Sequence, residues 1–329
     1  MSIKRRQALS MLAGASAAWS MPFGVRAQSE TFPVRTVTIV LPFPPGNSGD
    51  TMWRMLGEQL SKDWGRPFVI DNRPGAGGTL GARLVMRAQP DGYTLLHASS
   101  GPMVIGPHVI KSAGYDPRKD FTPIINVAGV AQAIVVRSDS RLRTIADLVS
   151  AAKAAPATLD YGSGGNGSTQ HLTMEFFSQR AGMRLVHVPY KGSGPAYTDL
   201  LGGQIDILVD SLPSTVPFVQ SGQARVLGIS TAQRDPALPD VPTLIESGYP
   251  EVEVLGWLGL VGPAGLPRAL RDQINSAVNR ALAMDAIRQS MAKLGMQQIG
   301  GSADAFEKFI ASEYVRWGDV VRQGEIKGE

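Results

Sequence analysis

The chain has 329 residues, with 32 Lys and Arg, 28 Asp and Glu and no cysteine. Without thiols there is no disulfide framework, thiolate chemistry or Cys-ligated metal. Residues 1–27 hold four of the bases (Lys4, Arg5, Arg6, Arg26) and no acid, so the remaining bases and acids balance at 28 each, which argues against a nucleic-acid binder, as does the lack of a basic run with interleaved aromatics.

Residues 1–27 read as a cleaved signal peptide. A charged start precedes an apolar, small-residue run over residues 8–21, and Val25-Arg26-Ala27 places small residues at −3 and −1 of a cleavage site. Arg5-Arg6-Gln7-Ala8-Leu9 also fits a twin-arginine signal loosely, so export by either the Sec or the twin-arginine route leads to the periplasm. The run is short and rich in Ala, Gly and Ser for a membrane span. No later apolar run reaches about 18 residues, so the mature protein is expected to be soluble. Its roughly 300 residues exceed one ordinary core, which implies two lobes.

Residues 34–41 read as a buried strand and end at a glycine-bearing loop, Pro42 to Asp50 (P-F-P-P-G-N-S-G-D). A helix follows from near Thr51 to Trp64, with Met52, Met55, Leu56 and Leu60 at helical spacing. A strand over 67–70, a glycine turn over 72–78, a helix over 79–89 and a strand over 93–97 continue the alternation, which implies an open, mostly parallel α/β sheet. Residues 124–136 form a long apolar stretch suited to crossing between lobes, and residues 255–261 suit a second crossing. Between them lie a helix over 145–155 capped by Thr144, a strand at 158–160, a helix from 172, strands at 184–188, 205–209 and 222–230, and helices at 196–201 and 213–220. Helices over 267–282, 285–294 and 302–322 close the chain, the last with Phe306, Phe309, Ile310 and Trp317 facing inward. The expected fold is α/β: two lobes, each a mostly parallel sheet flanked by helices, joined by two crossing strands into a hinged clamshell. Residues 28–128 plus 254–329 form one lobe and residues 129–253 the other.

The chain is organised around residues 161–171, Y-G-S-G-G-N-G-S-T-Q-H. Four glycines leave backbone N–H groups free, and Ser168 and Thr169 stand where a helix N-cap belongs. Free N–H groups plus the positive end of a helix dipole make an anion site with no cationic side chain. The Pro42–Asp50 loop is a second unit of this kind, so a small anionic ligand is expected between them, at the carboxyl ends of strands. Asp50 and Asp210 either fix their local turns or line the cleft, where Asp210 would select an ammonium or hydroxyl beside the ligand carboxylate. Tyr190 and Lys191 could cover or anchor the distal end of a ligand.

Rival chemistries find less support. Residues 162–167 satisfy G-x-G-x-x-G, but the next strand ends in Pro189-Tyr190 with no acid for a ribose. Ser163 and Ser193 sit between glycines outside a G-x-S-x-G elbow. His97, His108, His171 and His187 show no nucleophile-activating or metal-ligand spacing, and His171 reads as a structural or polar lining group. No catalytic residue, cofactor or metal is expected. An exported hydrolase or isomerase on the same scaffold, and a ligand sensor for a membrane signalling partner, remain the alternatives.

Several stretches resemble the Bug-type (TctC-like) receptors of tripartite tricarboxylate transporters: V-L-P-F-P-P-G (40–46), D-N-R-P-G-A-G-G (71–78), P-D-G-Y-T-L-L (90–96), Y-G-S-G-G-N-G-S (161–168), H-V-P-Y-K-G-S-G-P-A (187–196) and D-L-L-G-G-Q-I-D (199–206). The resemblance covers essentially the whole mature chain. It implies a two-lobed periplasmic-binding-protein (Venus-flytrap) fold and a non-catalytic, periplasmic protein that delivers a small organic carboxylate to one large and one small membrane subunit; a monomer is expected. It further implies that the ligand carboxylate is held through backbone N–H groups and bridging waters by the loops that here hold Phe43, Pro45, Gly46, Asn47, Ser48 and Asp50, and Gly164, Gly165, Asn166, Gly167, Ser168 and Thr169. The first loop departs from the family pattern at Gly46-Asn47-Ser48-Gly49, where a glycine pair followed by threonines is common. Ser99, Ser100 and Met103 are expected on a further cleft loop that sets distal specificity.

Overall fold

A computed structural model describes residues 32–323; the signal peptide read from residues 1–27 lies outside them. The chain alternates strand and helix as the sequence suggests. β1 (Val37–Leu41), α1 (Ser48–Trp64), β2 (Phe68–Asn72), α2 (Thr79–Met86) and β3 (Thr94–Ser99) come first, with β1 parallel to both β2 and β3. A π-helical turn over residues 101–105 and the short α3 (Gly106–Val109) follow, where an open loop was expected. Pro102 at the start of that turn removes a donor that the turn does not need.

β4 (Phe121–Arg137) is the backbone of the molecule. Its first part, residues 121–131, pairs antiparallel with β9 (Leu255–Pro263); from Gln132 onward it pairs with β7 (Ile207–Ser211) and β8 (Ala224–Ile229). Beyond it lie α4 (Ile145–Ala154), β5 (Asp160–Ser163), α5 (Thr169–Ala181), β6 (Val186–Pro189), α6 (Ser193–Leu201) and α7 (Leu212–Gln220), with β5 parallel to β6 and β7. The sheet runs β2-β1-β3-β9-β4-β7-β5-β6. It is mixed: β9 runs antiparallel to β3, β4 antiparallel to β9, and β7 antiparallel to β4. The second crossing is the approach to β9: Val254 N–H donates to Ser230 O at 2.8 Å, and Leu255 then registers with Ala131.

α8 (Arg268–Leu282), α9 (Asp285–Lys293), β10 (Met296–Gln298) and α10 (Ala303–Gln323) return the chain to the first half, where β10 pairs with β4. On α10, Phe306, Ile310 and Trp317 are buried against Trp257, Val261 and Leu96, with Phe309 half-buried beside them. Local rules set the helix ends. α1 stops at Gly65 in the left-handed region, and Thr144 and Asp147 form a reciprocal capping box on α4.

Candidate ligand-binding site

Four helices begin at one place. The caps or first residues of α1, α5, α6 and α7 all border an inner cavity of about 60 Å³. Asn47, Ser48 and Gly49 come from α1, Ser168, Thr169 and Gln170 from α5, Gly192 and Ser193 from α6, and Ser211 from α7. α1 starts at Ser48 and not near Thr51, because Asn47 Oδ1 accepts from Asp50 N–H at 2.9 Å and so caps the helix three residues earlier. Ser168 Oγ does the same for His171 N–H on α5. In both helices the cap occupies the third amide and leaves the first two facing outward without intrahelical acceptors. Each N-terminus carries roughly half a positive charge, and no Lys or Arg lines the cavity.

The first loop is pinned from behind. Asp50 Oδ2 accepts from Gly46 N–H at 3.1 Å and Arg54 Nε at 3.0 Å, and its Oδ1 accepts from Arg54 and from Asn72 Nδ2. Burial pushes the Asp50 carboxyl up, but hydrogen bonds from Arg54, Gly46 and Asn72 outweigh it and hold the group below its ordinary value. Asn72 also donates to Phe43 O at 3.0 Å. Asp50 thus anchors the loop and does not border the cavity. Asp50→Ala, which leaves those donors unmet, is expected to lower stability by about 2 kcal/mol in urea unfolding.

His97 forms part of the wall. Trp53 Nε1, which can only donate, meets its Nδ1 at 2.9 Å, so the ring proton sits on Nε2. Burial drives the His97 pKa down to about 3 against a small opposing pull from Asp50. The ring is therefore a neutral donor, and an alanine Cβ at Gly49 would stand 2.6 Å from Nε2.

Of the residues singled out from sequence, Phe43, Asn47, Ser48, Ser99, Gly164, Ser168, Thr169 and Asp210 border the inner cavity. Asn47 spends its amide locally, Nδ2 donating to Pro44 O. Gly165, Asn166, Tyr190 and Lys191 line an outer groove of about 630 Å³ that shares Phe43 and Gly164 with the cavity. Tyr190 is tied to Asp199 at 2.7 Å. Pro45 and Gly46 are exposed and border neither space. Ser100 stands behind the wall, accepting from Trp257 N–H at 3.2 Å, and Met103 is buried in the core. Gly167 and His171 lie behind the second loop, where Gly167 N–H donates to His171 Nδ1 at 3.3 Å.

Sequence reading missed His97 as a wall, and also Gln132, Gln170, Ser193, Ser211 and Trp257. Their only signal was position: Ser211 ends β7, Gln132 sits where β4 changes partners, His97 and Trp257 lie on β3 and β9, and Gln170 and Ser193 open α5 and α6. Ser163 Oγ does lie 2.7 Å from His187 Nε2, a nearness that spacing alone could not reveal. Ser163 is fully buried, however, and His187 is stacked between Tyr161 and His171 (4.9 and 4.1 Å between ring centroids). The pair borders neither cavity and braces the loop. Among the described residues no group of three or more His, Asp or Glu side chains could hold a metal ion.

The halves close tightly around this site. Ser211 Oγ and Ser48 Oγ are 3.3 Å apart, and a Cβ on Gly77, whose φ is +61°, would meet Asn166 O at 2.7 Å. A ring of helix N-termini drawn from both halves of such a sheet defines a solute-binding protein of the periplasmic type. Residues 52–326 match the family described as Tripartite tricarboxylate transporter family receptor. BugT of Bordetella pertussis is 35% identical, over 91% of this chain and 92% of its own. Rpa4515 of Rhodopseudomonas palustris, solved with adipate, superposes with a TM-score of 0.88 at 34% identity, covering 91% of this chain and all of the other. MatC of Rhodopseudomonas palustris, solved with bound malate, gives 0.84 at 32% identity, covering 88% of this chain and all of the other. The chain belongs to this family of Bug-type receptors.

Proposed function

We propose that this receptor captures a small organic carboxylate in the inner cavity and hands it to the large and small membrane subunits of a tripartite transporter. The observation that carries the reading is the convergence of four helix N-termini, without a cationic side chain, on one cavity. Such an arrangement stabilises an anion through fixed dipoles and N–H donors that need no reorganisation. The adipate and malate carried by the two solved relatives agree with it. In this reading the protein works in the periplasm as a monomer after loss of residues 1–27. Residues 28–128 plus 254–329 close on residues 129–253 by flexing where β4 and the approach to β9 cross. Capture needs no catalytic group, and the buried Ser163–His187 pair supplies none at the cavity.

The test is a thermal-shift and calorimetric screen of the chain from Gln28 against organic acids and their amides. A ligand at about 100 times its dissociation constant stabilises the folded state by about 2.7 kcal/mol. A carboxylate is expected to raise the melting temperature clearly, and its amide to leave it unchanged. A panel in which only neutral or cationic compounds shift the transition would sink the carboxylate reading.

A further inference from the structure

Five buried side-chain polar atoms among the described residues have no hydrogen-bond partner, and three of them belong to residues that line the cavity: Asp210 Oδ2, Gln132 Oε1 and Trp257 Nε1. That concentration marks the wall as the place where a further molecule supplies partners, since buried polar groups are otherwise nearly always satisfied. Two of the three are acceptors. Gln132 Nε2 is spent on Val130 O, which leaves Oε1 as its open end. Asp210 Oδ1 already accepts from Ser211 N–H at 2.7 Å and Gln170 Nε2 at 3.3 Å. Ser193 lies near enough to favour the charged carboxylate, but no donor reaches Oδ2 with hydrogen-bonding geometry.

A ligand made only of carboxylates does not satisfy this wall. It brings acceptors to the helix N-termini and to Trp257, but it brings no donor to Asp210, the sole charged residue on the cavity and an anion like the ligand. Like charges in a buried space repel strongly. A hydroxyl or ammonium group on the ligand removes the conflict, giving Oδ2 its missing donor.

We propose that Asp210 is the specificity residue of this cavity and that the transported acid carries a proton-donating substituent, hydroxyl or ammonium, received by Asp210 Oδ2. The inference rests on the carboxylate reading above and narrows it to substituted acids. Gln132 Oε1 is the second acceptor open to the same class of ligand.

The experiment is a matched calorimetric series at pH 7.5 on the full mature chain. Each framework is offered unsubstituted, 2-hydroxylated and 2-aminated: propionate, lactate and alanine; succinate, malate and aspartate; glutarate, 2-hydroxyglutarate and glutamate. Within the framework that binds, the hydroxy or amino acid is expected to bind at least tenfold tighter than its unsubstituted parent. Asp210→Ala is expected to bring the series to within about threefold while the parent acid still binds. Asp210→Asn keeps an acceptor of the same size without its charge, so it separates the two donors: a hydroxyl preference survives and an ammonium preference falls at least tenfold. An unsubstituted parent binding as tightly as its derivatives to the unaltered protein overturns the proposal, whatever the variants do. If no acid in the panel binds, the carboxylate reading fails and this inference fails with it.

Discussion

Gly49→Ala is expected to weaken ligand binding at least a hundredfold, about 2.7 kcal/mol at 25 °C. Gly49 has an ordinary backbone conformation, so the effect is one of space. The added Cβ would lie 2.6 Å from His97 Nε2, 2.9 Å from His97 Cε1 and 3.2 Å from Asn47 Oδ1. Neither neighbour can yield. His97 is 1% exposed and tethered to Trp53, and Asn47 is held at both ends of its amide. The N-terminus of α1 must therefore shift, carrying the amides of Ser48 and Gly49 away from their position opposite α5. Overpacking of this kind also lowers stability by about 1–3 kcal/mol, so folding is verified by thermal melting before affinity is measured. Gly57→Ala on the same helix is the control. Its Cβ would make an ordinary 3.5 Å contact with Phe68 Cβ, and exchanging a mid-helix glycine for alanine stabilises by about 1 kcal/mol. Binding by Gly49→Ala within threefold of the unaltered protein would remove the α1 N-terminus from the site.

Much of this was legible in the sequence because it rests on local rules. The βα alternation follows from apolar runs broken by glycine and proline, and Ser168 and Thr144 announce their helices as caps do. Asn47 did so too, but N-S-G-D resembles a loop until the Asn47–Asp50 hydrogen bond is known. The sequence pattern therefore points to a start near Thr51, three residues late, and leaves Asp50 free to line the cleft. The π-helical turn at 101–105 has no periodic signature, and Pro102 within it argues for a break. What sequence could not give is convergence. α6 and α7 are preceded by Gly192 and Ser211, residues common to any turn, and only the sheet order brings their N-termini beside those of α1 and α5. The roles of His97 and Gln132 depend on contacts 44 residues away with Trp53 and across the sheet with Ser211.

The site explains why a receptor for acids has no cation at its centre. In the proposed binding mode fixed N–H groups hold a carboxylate by shape and dipole, so helices braced from behind set the position of the anion. Asp50 with Arg54 and Asn72 braces one loop; the Tyr161–His187–His171 stack with Ser163 braces the other. The second brace stacks two imidazoles, His171 and His187, whose rings repel each other once both are charged.

Lowering the pH from 7.5 to 5.0 is expected to destabilise the protein by an amount on the order of 4 kcal/mol. Burial drives His97 down to about 3, and burial plus the neighbouring His187 does the same to His171. His187, less deeply covered, falls to about 4 through burial. In the unfolded chain these rings titrate near 6.5. As pH falls through 6.5 the unfolded state takes up protons that the folded state refuses, so stability is lost from there downward. His97 and His171 each contribute about 2 kcal/mol of that loss by pH 5, and His187 somewhat less. Asp210 acts in the opposite sense. Burial raises its carboxyl to about 6 against the opposing pull of nearby Ser193 and the hydrogen bonds from Ser211 and Gln170. The folded state therefore gains a proton below pH 6 that the unfolded chain takes only near 3.8, which returns about 1 kcal/mol by pH 5. Asp50, held below its ordinary value, loses its contribution only below the usual carboxylate range and stays outside this window. For a chain of this size the melting temperature should fall by about 10 °C. Urea unfolding at the two pH values measures the difference directly. His171→Asn, which keeps an acceptor near Gly167 N–H but cannot titrate, should be less stable at pH 7.5 and show a slope shallower by about 2 kcal/mol across the interval. Equal stability of the unaltered protein at both pH values would mean that the histidine braces protonate within the fold, and the rigid carrier of the second anion loop would have to be sought elsewhere.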